Sequence, residues 1–250
     1  MTSFKAPKTQ ATGDYVRPDP LDPGTYPARL VQVIDLGVQP QRPFKGQPKP
    51  DIQMISLTYE LVDTFLKDKD GEDDEARPRW LSETMPLHSI KNEKAKSTQR
   101  YKAFDKENDD DGDWFAQIGK PVNVTVAINQ VDDKVYENVS ALGPMRDRDA
   151  ARCPELVNDP RLFAIDAEDT WGAFEGLPQW LREKIEGARN VPGSDFATFL
   201  KGAKKKADAK KAEEPPADEE DDEPEAPPKK PAKKAAKKAE AEEEDEDAPW

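Results

Sequence analysis

One cysteine and one histidine in 250 residues rule out several kinds of chemistry at the outset. Cys153 alone builds neither a disulfide framework nor a cysteine zinc site, and it reads as a small thiol in a reducing compartment. His88 has no second histidine to complete an HExxH metal motif, and no glycine-rich phosphate cradle appears anywhere. The aspartate run at 109–113 lacks EF-hand spacing and a bidentate glutamate at the twelfth position, so it reads as a solvated loop. No apolar run approaches the ~20 residues of a membrane span. The first ten residues carry lysines without the apolar stretch of a signal peptide. The expectation is a soluble, cytoplasmic, non-enzymatic protein with no catalytic residue, metal ligand or cofactor. A carboxylate-only nuclease using Mg²⁺ is the remaining enzyme class, and no paired motif supports it.

Apolar residues are scarce too. Hydrophobic residues make up 35% and charged residues 36% of the chain, and the mean hydropathy is −0.95. That composition suits one compact domain joined to a long segment that buries no core. The formal net charge of −14 opposes simple electrostatic binding of nucleic acid, because phosphate contacts need Lys and Arg. The net value averages over segments, however, so the distribution of cations matters more.

Four regions follow from the pattern. Residues 1–20 are polar and aperiodic, a flexible arm. Residues 21–145 alternate as short strands, residues 146–200 have helical spacing, and residues 201–250 form a charged tail. The first strand, 25–36, places Tyr26, Ala28, Leu30, Ile34 and Leu36 on one face, interrupted by Gln32. A loop at 37–51 holds four prolines with Arg42, Phe44, Lys45 and Lys49. The second strand, 52–62, aligns Ile55, Leu57, Tyr59 and Leu61. An acidic hairpin loop at 63–75 leads to a third strand at 79–87, and 93–104 has helical composition. Val122, Val124, Val126 and Ile128 give the cleanest period of two, and Asp132-Asp133 turns that strand into another at 135–142. Five strands, long loops and one interposed helix predict a mainly β fold, an OB-like five-stranded β-barrel; a β-sandwich is the competitor.

Past Gly143-Pro144, Trp171, Phe174, Leu177, Trp180, Leu181 and Ile185 have helical spacing, and Phe196, Phe199 and Leu200 form a second apolar cluster. This small helical appendage either packs on the barrel or serves partner binding or self-association. Beyond residue 201 no aromatic occurs until Trp250, and Lys, Ala, Glu, Asp and Pro dominate, the composition of a disordered tail.

Cations cluster in one stretch of this acidic chain. Residues 77–106 hold Arg77, Arg79, Lys91, Lys94, Lys96, Arg100, Lys102 and Lys106 against three carboxylates. Trp80, Tyr101 and Phe104 are interleaved among them. With Arg29 on the outer face of the first strand and Arg42, Lys45 and Lys49 in the loop, they form a candidate phosphate-binding set. Trp80, Phe44 and Tyr59 or Tyr101 are the candidates for base stacking. Trp80 and Tyr59 fit the core of their strands equally well, Phe104 fits it better, and Lys94 and Lys102 also fit a solvated helix face.

The acidic run from residue 240 ends in Asp245, Glu246, Asp247, Ala248, Pro249 and Trp250. A partner with an apolar slot can bury the indole for about 1.5–3 kcal/mol, and a cation at its edge can pair with the carboxylate. This tip resembles the acidic C-terminal peptide of bacterial and phage single-stranded DNA-binding proteins, with Trp where Phe is usual. Residues 22–37, 57–63 and 79–82 (DPGTYPARLVQVIDLG, LTYELVD and RWLS) resemble the OB-like domain of the phage members of that family. The resemblance implies coating of single-stranded DNA during phage replication or recombination, in the host cytoplasm. It also implies recruitment of replication or recombination proteins by the tip. The rival expectation is a protein-interaction or structural phage component whose tail only solubilises.

Overall fold

The structure, a computed structural model, describes residues 18–131 and 134–203. In chain order it contains β1 (Gly24–Gln39), β2 (Ile52–Lys67), β3 (Asp73–Pro86), α1 (Lys96–Tyr101), β4 (Pro121–Val131) and β5 (Lys134–Pro144). α2 (Asp147–Ala150), β6 (Arg161–Phe163) and α3 (Gln179–Glu186) follow. Short 3-10 segments lie at Phe115–Gln117 and Glu168–Gly176, and residues 195–203 are helical. The fold is mainly β. Strands run β3-β2-β1-β4-β5 in antiparallel order, and β6 adds to β1 in parallel. No helix among the described residues is long and apolar enough to cross a membrane.

β1 organises the rest. Leu30 pairs with Tyr59 and Gln32 with Thr58, so Val31 is an extra residue, a bulge. A bulge reverses the alternation of faces. Ala28 and Leu30 before it share a core with Val33 after it, whereas Ile34 and Leu36 enter a second core on the opposite side. The apparent interruption of the apolar face at Gln32 is therefore this reversal. The first core joins β1 to Leu57, Tyr59, Leu61, Leu81, Met85, Tyr101, Trp114 and the inward valines of β4. The second is built from Phe163, Trp171, Phe174, Leu181, Ile185 and Phe196, so the appendage packs on β1.

A second irregularity sets Asp35 opposite Ile55 but Val38 opposite Gln53. Gly37 lies within it at φ +70°, and a Cβ there would approach Ala188, Asn190 and Ile165 to 2.6 Å. Asp35 accepts hydrogen bonds from the N–H groups of Gly37 and Ile165 and from the Gln53 amide. Burial nonetheless pushes its carboxyl above the ordinary aspartate range. The ionised form is thus a cost at neutral pH, relieved as pH falls through the folded-state pKa.

Among the described residues, no backbone ladder joins β3 to β5, so the sheet is not closed by strand pairing. Side chains cross the gap instead. Arg79 of β3 pairs with Glu137 of β5 at 2.5 Å. Arg100 of α1 binds Glu83 of β3 at 2.9 Å and donates to the Val139 and Ser140 carbonyls of β5 at 3.0 and 3.2 Å.

Several expectations need correction. The described residues form six strands, not five; β6, only three residues long, gives no periodic signal in sequence. The acidic segment 63–75 is mostly strand: Phe65, Leu66 and Lys67 pair with Pro78, Asp74 and Asp73, leaving only 68–72 as the turn. The helix expected over 93–104 is confined to Lys96–Tyr101. The apolar series 171–185 divides into the 3-10 segment and α3, with Pro178 between them. Leu181 and Ile185 face the core, four residues apart, whereas Trp180, about 100° around the helix from Leu181, is 54% exposed.

Gly37→Ala should cost about 2–4 kcal/mol through overpacking and left-handed strain, read as a lower urea midpoint. An unchanged midpoint would contradict the packing of residues 188–190 against the bulge.

Candidate nucleic-acid interface

The cations and rings singled out in the sequence divide into those that hold the fold and those that face solvent. Arg29 belongs to the first group. It was expected on an outer face but is 8% exposed. Its guanidinium donates to the carbonyls of Pro154, Gly119 and Cys153 at 2.6–2.8 Å and pairs with Glu155 at 3.1 Å. This fastens the segment after α2 to β1. Tyr59 is fully buried and donates to Glu83 at 2.8 Å. Burial and the adjacent Glu83 push its hydroxyl pKa well up, so it stays a donor. Tyr101 is also core: it donates to Asp105 at 3.0 Å and meets the Trp114 ring edge-on at 5.3 Å. Neither tyrosine can stack on a base without unpacking the first core.

Glu83 collects most of the basic helix. Besides Tyr59 and Arg100 it receives Lys96 at 2.7 Å. Lys102 pairs with Glu93, Lys106 with Glu107 and Arg77 with Asp74. Lys91 and Lys94 stay exposed. Lys96 and Arg100 are therefore neutralised within the fold by Glu83 of β3, whereas the Lys102, Lys106 and Arg77 pairs lie at the surface. The aspartate run is likewise internal in purpose. Asp105 accepts the N–H groups of Asp109 and Asp110, and Asp110 is held low by the Lys120 ammonium and the Gln117 amide.

Trp80 is half-buried. Its indole N–H donates to Glu60 at 3.0 Å, and the Arg161 guanidinium lies 6.0 Å from the ring centroid. Glu60, which the sequence reading passed over, is 1% exposed and also accepts Val157 N and both Asn158 nitrogens. A glutamate between Tyr59 and Leu61 of β2 was the available signal. Leu66, Arg77, Arg79, Trp80, Val135 and Glu137 line a groove of about 490 Å³ along the unpaired edges of β3 and β5. Arg79 is committed within it to Glu137 and the Asp19 carbonyl.

The loop between β1 and β2 is different. Prolines 40, 43, 48 and 50 supply no N–H and keep the segment off the sheet. Lys45 at φ 52° and Gly46 at φ 77° make a tight turn, closed by reciprocal Phe44–Gln47 backbone bonds of 2.9 and 3.0 Å. Positive φ at both central positions is the type I′ pattern of a hairpin tip. Gln41 donates to the Pro50 carbonyl at 2.7 Å and ties the base together. At the tip Phe44 is 59% exposed, with the Lys45 and Lys49 ammonium groups 5.5 and 5.0 Å from its ring centroid. Arg42 is exposed beside it. Arg42, Lys45 and Lys49 have no carboxylate partner among the described residues. Asp245, Glu246, Asp247, Ala248, Pro249 and Trp250 lie outside the described residues.

Arg100→Ala should leave Glu83 with a weakened set of partners in the interior and cost about 3–5 kcal/mol in urea unfolding. An unchanged midpoint would return Arg100 to the set available for phosphate. No protein-family model matches this chain, and no curated protein matches it.

Proposed function

We propose that this protein binds single-stranded DNA without strong sequence preference, as a coating protein of phage replication or recombination. The domain is read as an OB-like barrel. The strand order, the helix between β3 and β4, the bent β1 and the side-chain bridges between β3 and β5 all support that reading. The observation that carries the function is the Phe44 tip. It is an exposed ring on a well-defined turn, flanked by three cations left without carboxylate partners.

A ring of this kind stacks on any base, for about 1–3 kcal/mol, because every base presents a π face. The ammonium groups that lie near the ring in the free protein are placed to follow the phosphates on either side. Trp80, oriented by Glu60 and Arg161 in the groove between β3 and β5, is the second candidate ring, while Arg77 and Arg79 beside it are held by Asp74 and Glu137. On the same reading the acidic segment 245–250 serves as a tethered ligand for replication or recombination proteins, with Trp250 as its anchor.

Anisotropy of a labelled dT oligomer, followed across salt concentrations, tests the proposal. Three phosphate contacts predict a slope of log K against log salt near −2, at about −0.7 per phosphate. Lys45→Ala with Lys49→Ala should reduce that slope by about 1.4. Phe44→Ala should weaken binding about fivefold to 150-fold and leave the slope in place. A protein that gives no salt-reversible response to dT is instead an interaction or structural component, and Mg²⁺-dependent loss of the strand would indicate a nuclease.

A further inference from the structure

We infer that the C-terminal appendage is the positioning element of the Phe44 loop, with Arg189 and Asn190 as the residues that set its pose. This rests on the reading of that loop as the strand-binding element. Beyond the bulge at Gly37 the arm carrying the loop has only two rungs, Val38 opposite Gln53 and Gln39 opposite Ile52. The Gln53 leg is also held by the Leu87 N–H at 2.7 Å, but two rungs alone do not fix the orientation of the Val38 leg in water.

The appendage supplies what the ladder lacks. Asn190 Oδ1 accepts the Val38 N–H at 2.8 Å, and the Arg189 N–H donates to the Val38 carbonyl at 2.8 Å. Both backbone groups of one strand residue are therefore taken by two successive residues of the appendage. The Gln39 amide reaches the Lys184 carbonyl at the end of α3 at 2.8 Å. Arg189 also grips the other leg, its Nε lying 3.3 Å from Asp51 Oδ2. Gly37, with Ala188, Asn190 and Ile165 packed over it, is the pivot that these contacts immobilise. A binding element held in one pose loses less entropy when it engages its ligand. The appendage thus raises single-strand affinity while its clamping residues act through the loop stem.

Arg189 and Asn190 are exposed, so Arg189→Ala/Asn190→Ala removes the Asn190 acceptor and the Asp51 ion pair, keeps the backbone bond from Arg189 to Val38, and leaves both cores intact. Hydrogen exchange over residues 38–53 should accelerate in this variant while exchange in β4 and β5 stays unchanged. Affinity for a dT oligomer should fall about fivefold to tenfold. In a Phe44→Ala/Lys45→Ala/Lys49→Ala background the same pair of changes should alter affinity less than twofold, because the clamp then has nothing to position. Unchanged exchange at 38–53, or an equal loss of affinity in both backgrounds, would overturn the clamp. Loss of dT binding by the loop variant alone, with full affinity in the clamp variant, would overturn it too. If the unaltered protein ignores dT, the nucleic-acid reading fails on its own, and the exchange measurement still decides whether the appendage holds the loop.

Discussion

The buried guanidinium of Arg100 spans the gap that the sheet leaves between β3 and β5. It binds the Glu83 carboxylate on one side and two carbonyls of β5 on the other. Burying a charge this deeply carries a desolvation cost of several kcal/mol, tolerable only where paired charge and hydrogen bonds offset it. Glu83 is satisfied in turn by Tyr59 and Lys96. α1 is therefore held against the sheet by a polar network at the point where backbone pairing stops, and the first core lies beneath it.

That arrangement redistributes the chain's cations. Three of the cations that make 77–106 basic in sequence, Arg79, Lys96 and Arg100, are taken up in holding the domain together, as is Arg29 against the segment after α2. Among the described residues, Arg42, Lys45 and Lys49 have no carboxylate partner where proline keeps the chain off the sheet, as Lys91 and Lys94 have none before α1. Among the described residues the loop at 40–51 bonds within itself and, at Asp51, to Arg189 of the appendage. In an acidic protein this matters, because a phosphate-binding surface there depends on a few cations that no neighbouring carboxylate has claimed.

The two irregularities of β1 link these features. The bulge at Val31 turns one face of the strand toward each core, so a single strand serves both the sheet interior and the appendage. The second, at Gly37, opens space for residues 188–190 and aims the loop beyond it. Asp35 lies between the two irregularities and accepts hydrogen bonds from Gly37, Ile165 and Gln53 there.

Much of this was legible in advance. The alternating valines of β4 do face the core, β4 and β5 do pair antiparallel, and the proline-rich segment does stay off the sheet with Phe44 exposed. These features depend on neighbouring residues: side chains alternate every two positions, and proline lacks its N–H wherever it stands. The β1 bulge, the burial of Tyr59 and Tyr101, and the capture of Arg29, Arg79 and Arg100 were not legible. Apart from Asp105, four residues from Tyr101, their partners lie 17 to 125 residues away, in Glu83, Glu137, Val139 and Pro154. The sequence by itself determined which segments alternate, which loop stays off the sheet and where cations are plentiful. Only the tertiary structure decided which of those cations are spent inside, because a charged side chain in a low-dielectric interior takes whichever partner the fold brings within reach.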